Sequence, residues 1–329
     1  MSAAETMSLK IPPKLLEALK AASTVALITH VNPDGDGLGA QAALAEALEG
    51  LGKKVVLWNQ DKPGERYAFL NLEGRYATPA ACDLALVLDT SVLSRIGTAS
   101  QHLALAKEVG VIDHHAGSEP FGQHAWVVAT AASTGSLIAE LLKDLGVTLT
   151  PSIASAIYAA LAHDTGCFRY SNTSAESFAL AGELKAAGAD TAAINVELFE
   201  SRPAAAVKLW AKALSALEIG NGGKSAIAVV TQAMLDECGA TKEDSDGVVE
   251  AARAIQGVEV AALLREDKGA VKLSTRSKKW LDVNAMCAVF GGGGHHRASG
   301  ATLKMGLAEA KIALAAAIAE ALNARAAAH

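Results

Sequence analysis

Four short apolar runs, TVALITH (24–30), KVVLW (54–58), DLALVLD (83–89) and VGVID (109–113), punctuate the first part of the chain. Between them the apolar positions recur at helical spacing. A strand with one wet face alternates apolar and polar residues, whereas a strand covered on both faces reads as an unbroken apolar run. The pattern therefore predicts a mainly parallel sheet with helices on both sides. From residue 134 to about 216 the periodicity turns helical, in TGSLIAELLKDLG, PSIASAIYAALAHD and SAESFALAGELKAAG, with Ser133 and Thr134 expected to cap the first. FESRPAAAVKLWAKALSALEIGNGGK then reads as a connecting helix that runs into a glycine-rich turn. Beyond it KSAIAVVT, VEVAALLRE and AVKLSTRS are predicted strands, and DVNAMCAVF and the C-terminal stretch predicted helices. The fold class is α/β: an N-terminal, mainly parallel sheet flanked by helices over residues 1–200, a linker helix over 201–220, and a smaller C-terminal α/β domain over 221–329.

Composition narrows what such a protein does. At 329 residues there is room for two cores, and 51% hydrophobic against 19% charged residues describes a folded chain. The mean hydropathy of +0.24 comes from alanine in runs such as AKIALAAAIAEALNARAAAH. None of them approaches the roughly 20 apolar residues that cross a bilayer, so no membrane span is expected. The start, MSAAETMSLKIPPKLLEALKAAS, lacks the basic segment, apolar core and small-residue cleavage site of a secretory leader, and the expected location is cytoplasmic. Cys82, Cys167, Cys238 and Cys287 form no CxxC pair and are predicted to be small buried hydrophobes. A net charge of −6 opposes tight, sequence-blind binding of long nucleic acid, which depends on many Lys and Arg contacts to phosphate. Short anionic substrates held at a local positive site remain allowed.

The loop HVNPDGDGLGA (30–40) follows a predicted strand and precedes a helix, where a phosphate-binding loop would sit. Gly35, Gly37 and Gly39 imitate part of a dinucleotide fingerprint, but the spacing differs and Asp34 and Asp36 would repel a pyrophosphate. Two carboxylates about 5 Å apart also repel each other by roughly 3 kcal/mol at an effective dielectric near 20. Two further strands end in Asp89 and in Asp113-His114-His115. Ligands of a parallel sheet gather beyond the carboxyl ends of its strands, so these residues converge on one edge, and HDTGCFRYSNT adds Asp164. Metal ions would make such a crowd of acids tolerable. Carboxylates and imidazoles without thiolate suit Mn²⁺ or Mg²⁺, with the histidines favouring Mn²⁺. A pair of ions about 3.5–4 Å apart would serve an in-line displacement at phosphorus.

HVNPDGDGLGA, LVLDT, VIDHH, HDTGCFRYSNT and STRSKKWLDVNAMCAVFGGGGHHRASG together resemble, in order and spacing, the DHH phosphoesterase superfamily, and the second half resembles its DHHA1 domain. The likeness is to the short, stand-alone DHH–DHHA1 enzymes that degrade oligoribonucleotides of a few residues and dephosphorylate 3′-phosphoadenosine 5′-phosphate. It implies one metal at His30, Asp34 and Asp89 and another at Asp36, Asp89, His114 and Asp164, with Asp89 shared. It also implies catalytic roles for His115, facing the scissile phosphate, and for Asp113, orienting a neighbouring histidine. The chain departs from the family's usual pattern at His163, where a hydrophobic or small residue is common, at Ser299, often alanine, and in STRS (Ser274 to Ser277), commonly SLRS.

In the second domain, Gly291, Gly292, Gly293 and Gly294 would let backbone amides approach an anion, with His295 and Arg276 as donors to the same group. Arg169 is a further candidate phosphate contact. The expected function is two-metal hydrolysis in a cleft between the domains. Its substrates would be short single-stranded oligoribonucleotides, cut to 5′-mononucleotides, and/or 3′-phosphoadenosine 5′-phosphate, losing its 3′-phosphate. Two Mn²⁺ ions are the expected cofactor, with Mg²⁺ as an alternative, and a homodimer is left open. A phosphodiesterase for cyclic or linear dinucleotides and a non-catalytic nucleotide-binding module stand as alternatives. The complete ligand set speaks against the second of these, and the lack of clustered Cys and His against an aminoacyl-ester editing domain.

Overall fold

The computed structural model describes residues 10–115 and 120–326. The chain divides into two compact units, Met1–Ser201 and Arg202–His329. The first nine residues and the last three of the C-terminal alanine-rich stretch lie outside the described residues.

The first unit contains a five-stranded sheet, β1 (Thr24–Ile28), β2 (Lys54–Leu57), β3 (Cys82–Leu88), β4 (Ala106–Asp113) and β5 (His124–Val127), in the order β2-β1-β3-β4-β5 and parallel throughout. The apolar runs are buried on both faces. Val25, Leu27, Leu84, Leu86, Leu88 and Ile112 enter one core, while Ala26, Ile28, Ala85, Val87 and Val111 enter another on the opposite side with Trp58 and Ile96. β5 was not anticipated, because HAWV is too short and too mixed in pattern to stand out. Around the sheet lie α1 (Pro13–Ala21), α2 (Gly35–Gly50), α3 (Thr134–Asp144), α4 (Pro151–Asp164), α5 (Ala175–Ala186) and α6 (Thr191–Asn195). Thirteen of the sixteen residues of α2 are buried. A helix apolar all round belongs inside, and its small residues let it pack closely: a Cβ on Gly39 would lie 2.5 Å from the Ala156 carbonyl oxygen of α4.

With β1 between β2 and β3, the strand order reverses direction at the β1/β3 boundary. Crevices open at such switch points, beyond the carboxyl ends of the strands. The segments that leave β1, β3 and β4 carry His30, Asp34, Asp36, Asp89, His114 and His115.

The second unit holds a six-stranded sheet, ordered β10-β11-β9-β8-β7-β6, from β6 (Glu218–Gly220), β7 (Ser225–Val230), β8 (Val260–Asp267), β9 (Ala270–Ser277), β10 (Gly293–His295) and β11 (Ala298–Leu303). Only the β7/β8 pair is parallel. Alternation along β8 sends Val260, Ala262 and Leu264 to a core with α10 (Val283–Ala288) and α11 (Leu307–Ala326). Ala261 and Leu263 face a second core with α7 (Ala204–Ser215), α8 (Gln232–Cys238) and α9 (Val248–Arg253). The helix read as a connector, α7, buries Leu209 and Ala213 in that second core. No helix among the described residues is long and apolar enough to cross a membrane. All four cysteines are free; Cys82 and Cys287 are buried, but Cys167 and Cys238 are only half-buried, so the expectation of four buried thiols holds for two.

Candidate metal centre

Asp34 is the N-cap of α2. Its Oδ1 accepts from the amides of Asp36 (3.0 Å) and Gly37 (3.3 Å), relieving donors that the first helical turn leaves without partners. Its Oδ2 lies 3.7 Å from His30 Nε2. One oxygen thus caps the helix while the other faces an imidazole. Gly37 is glycine because the end of β1 presses on it: a Cβ there would stand 2.3 Å from Thr29 Oγ1 and 3.4 Å from Asp89 Oδ2. The glycines that resembled a phosphate loop instead let helix and strand close around carboxylates.

Asp36 is fully buried. Its Oδ2 accepts from the Thr134 amide (2.6 Å) and its Oδ1 from the Gly135 amide (2.8 Å), at the positive end of α3. Burial and the charges of Asp89 and Asp164 nonetheless push its carboxyl well above the usual range. Asp89 adopts φ of +65°, a left-handed conformation rare outside glycine, which is the kind of strain functional positions hold. Its two oxygens face different histidines: Oδ2 lies 3.4 Å from His30 Nε2, and Oδ1 lies 3.6 Å from His114 Nε2 while accepting from Thr134 Oγ1 at 3.0 Å. Asp164, at the end of α4, brings Oδ2 to 2.9 Å from His114 Nε2.

Both imidazoles have their tautomer set from behind. Nδ1 of His30 donates to the Val31 carbonyl (2.9 Å) and Nδ1 of His114 to the Ala131 carbonyl (3.2 Å). A neutral ring so anchored turns the Nε2 lone pair toward the carboxylates. His30 Nε2 is buried with no hydrogen-bond partner, although two carboxylates stand within 4 Å. Lone pairs facing lone pairs repel unless a proton or a metal ion lies between them. Without an ion the carboxylates favour protonated rings: burial pulls the pKa of His30 and His114 down, but the acids prevail and hold both well above the ordinary value. His30, Asp34 and Asp89 form one group of donors within metal-binding reach of each other, and Asp36, Asp89 and His114 another. This donor set fits divalent ions, and Asp89 belongs to both groups.

Asp113 is buried and committed elsewhere. Its Oδ2 accepts from Ser91 Oγ (2.6 Å), and its Oδ1 accepts from the His114 and His115 amides and from His115 Nδ1 (2.7 Å). Burial alone would raise its pKa, but these donors hold it below the carboxylate range. The carboxylate orients the His115 ring, whose Nε2 lies 3.4 Å from Arg95 Nη1. Arg95 and Ser91 are contributors that the sequence did not reveal, and Thr134, expected there as a helix cap, bonds to Asp36 and Asp89 instead. Ser91 follows Asp89 by two residues, a signal of sorts, whereas Arg95 comes from a 3-10 stretch (Leu93–Leu105) with no apolar periodicity to mark it. Thr134 is the first residue of the helix, and the capping box is made by Ser133 with Ser136. Arg169 is not part of the cluster: its Nε donates to the Gly166 carbonyl and its guanidinium lies 6.0 Å from the centre of the Phe199 ring.

In the second unit, Gly291 takes φ of +69°, and Gly293–His295 is strand β10, paired with β11. The expected glycine loop is therefore partly a hairpin strand, because β11 comes close enough that a Cβ on Gly292 would stand 2.2 Å from the Gly300 carbonyl oxygen. Arg276 on β9 is not an open fork: its Nε donates to Glu250 Oε1 (2.8 Å) and its Nη1 to the Thr275 carbonyl.

Residues 24–161 match the DHH family, N-terminal domain, and residues 222–324 match the DHHA1 domain. The chain is 33% identical over 294 residues to the bifunctional oligoribonuclease and PAP phosphatase NrnA of Thermus thermophilus, covering 88% of this chain and 87% of that protein. It is 27% identical to the protein of the same name from Bacillus subtilis, over 88% and 92% of the two chains. Among solved structures, an exopolyphosphatase-related protein from Bacteroides fragilis shares the fold with a TM-score of 0.87 at 24% identity, over 97% of this chain and 98% of that one. RecJ of Thermus thermophilus in complex with Mn²⁺ shares it at 0.52 and 17% identity, over 96% of this chain and 56% of RecJ.

Proposed function

The chain belongs to the DHH family, with a DHHA1 domain, and is a hydrolase of that family; we propose that it hydrolyses short oligoribonucleotides to 5′-mononucleotides and removes the 3′-phosphate of 3′-phosphoadenosine 5′-phosphate, with two Mn²⁺ ions as cofactor. The observation that carries this reading is Asp89, whose two oxygens face the two inward-turned imidazoles. In the proposal His30, Asp34 and Asp89 hold one ion, and Asp36, Asp89, His114 and Asp164 hold the other. Bound there, such ions supply Lewis acidity to the phosphoryl oxygens and a more acidic water at neutral pH.

The chain's own residues do the rest. The amides of Thr134 and Gly135 and the Thr134 hydroxyl fix Asp36 and Asp89 before any ligand arrives, so little reorganisation accompanies binding. Asp113 keeps the Nδ1 proton of His115 in place, which makes Nε2 the atom that exchanges a proton with the leaving oxygen. Arg95, close to that nitrogen, sets a cation where negative charge develops. Arg276, His295 and the Gly291–Gly294 segment would receive the substrate's terminal phosphate, with Glu250 holding the Arg276 guanidinium in position.

The test incubates the purified chain with Mn²⁺ or Mg²⁺ and labelled RNAs from dinucleotide to heptanucleotide and, separately, with 3′-phosphoadenosine 5′-phosphate. Stepwise release of 5′-mononucleotides and of inorganic phosphate is expected, faster with Mn²⁺. Asp89→Ala should abolish both activities, and near-normal turnover by that variant would sink the shared-ligand reading.

A further inference from the structure

Three consecutive residues beyond the end of β2, Asn59, Gln60 and Asp61, have no part in the metal centre described so far, yet each accepts a backbone amide from a segment that serves it. Asn59 Oδ1 takes the Thr29 amide (2.9 Å), Asp61 Oδ2 the Asn32 amide (2.8 Å) and Gln60 Oε1 the Thr98 amide (2.8 Å). Thr29 and Asn32 flank His30 and Val31, and Thr98 follows closely on Arg95. Between them the Val31 amide donates to the Arg95 carbonyl at 2.7 Å, and the Val31 carbonyl accepts from His30 Nδ1. One short run of side chains thus ties the segment of a proposed ligand, His30, to the segment of the cation beside His115.

The backbone held in this way has little to hold itself. The stretch from His30 to Asp34 is irregular, and Asn32 within it is left-handed, with φ of +51°, next to a proline. A left-handed residue other than glycine costs about 1–2 kcal/mol and persists only where its surroundings fix it. At Asn32 the bond from its amide to Asp61 does so. Gln60 is placed as firmly. Gly97 has φ of +58°, and a Cβ there would run into Gln60 Oε1 and stand 2.7 Å from Val31 Cγ1, so the glycine leaves room for the amide side chain. Gln60 Nε2 donates in turn to Asp61 Oδ1 (3.3 Å), and Asn59 exchanges two amide bonds with Gln41 (2.8 and 2.9 Å). Both oxygens of the Asp61 carboxylate are engaged by N–H donors, which makes it a brace and not a further ligand.

We propose, on the two-ion reading above, that Gln60 and Asp61 are positioning residues for the reaction: Asp61 sets His30 for its ion, and Gln60 sets Arg95 against His115 Nε2. Their effect passes through the backbone, where a displacement of about 1 Å at a reacting group costs about 10²-fold in rate. Because the two side chains hold different segments, their loss is felt in different quantities.

Equilibrium dialysis of the full chain against MnCl₂, pulsed electron paramagnetic resonance of the bound Mn²⁺ and steady-state kinetics on a labelled RNA dinucleotide test this. Gln60 is exposed and Asp61 half-buried, so the variants are expected to fold. Asp61→Ala should weaken Mn²⁺ binding by about tenfold and diminish an imidazole-nitrogen coupling at limiting metal, and Asp61→Asn, which keeps the acceptor, should restore both. Gln60→Ala should lower kcat by about tenfold at saturating Mn²⁺, with KM and metal affinity unchanged. Wild-type affinity and kcat in the two alanine variants overturn the positioning roles and leave the metal centre standing. A loss in Asp61→Asn equal to that in Asp61→Ala also overturns the role of Asp61, since charge and not the bond to the Asn32 amide would then be at work. A wild type that binds no Mn²⁺ overturns the two-ion reading itself, and the positioning roles with it.

Discussion

In the second unit, Glu259 is buried and its Oε1 accepts the amides of Lys279, Trp280 and Leu281. Arg276 there donates to Glu250, and Arg297 donates to the carbonyls of Leu281 and Lys279. In the first unit, Asp36, Asp89 and Asp164 instead crowd one another around two imidazoles whose Nε2 atoms are turned inward. Charges of the first kind are satisfied within the fold and serve to shape it. Those of the second kind call for a cation, because desolvated like charges cost several kcal/mol unless something positive joins them. The difference teaches where to look for chemistry: where polar groups have been positioned by the backbone but not satisfied by one another.

The sharpest way to break this comparison is Asp36→Ala. It removes an inner carboxylate and should lower turnover by about 10³-fold or more, with loss of bound Mn²⁺ in equilibrium dialysis. Normal metal content in this variant would show that the cluster is no more demanding of cations than the second unit.

Proton competition is the next test. His30 and His114 are held protonated above their ordinary pKa by the acids, and a protonated ring cannot ligate. Metal binding must therefore weaken as pH falls, by about tenfold per unit for each proton displaced, and the weakening should begin above the usual histidine range. Mn²⁺ titrations at several pH values read this directly, and a pH-independent affinity would count against imidazole ligation. Conversely, Mn²⁺ at one hundred times its Kd should stabilise the chain by about 2.7 kcal/mol, seen as a rise in Tm.

Asp113→Asn separates orientation from ligation. It weakens the acceptor for His115 Nδ1 and should cost about 10- to 100-fold in kcat, with metal stoichiometry and KM little changed. In the second unit the effects should be smaller. Arg276→Ala is expected to raise KM by about tenfold and leave bound metal unchanged, since a charge-assisted bond to phosphate is worth about 1.5–3 kcal/mol at most. Glu250→Gln should raise KM only a few-fold, through a less firmly held guanidinium. A loss of Mn²⁺ in either variant would erase the division of labour between the units.

Much of the first unit was legible because strands buried on both faces announce themselves as unbroken apolar runs, and the rule that parallel-sheet ligands gather at strand ends then collected Asp34, Asp89 and His114. The same reasoning failed for β5, β10 and β11. HAWV, GGH and ASGATL have neither a long apolar run nor strong alternation, and they are strands because neighbours supply the hydrogen bonds. What the loop glycines do was hidden for a related reason: Gly37 and Gly39 answer to Thr29 and Ala156, the second of them distant in the chain.

By itself, the order of residues determined the kinds of donor atom available, the helix cap at Asp34 and the strand ends that carry the acids, because these follow from local propensity and periodicity. Only the tertiary structure decided that Asp89 would face two histidines, that Thr134 would bond to Asp89 rather than cap its own helix, and that the Arg276 guanidinium would be engaged by Glu250. Each of these depends on the distance between atoms dozens of residues apart, which is set by how helices and strands pack.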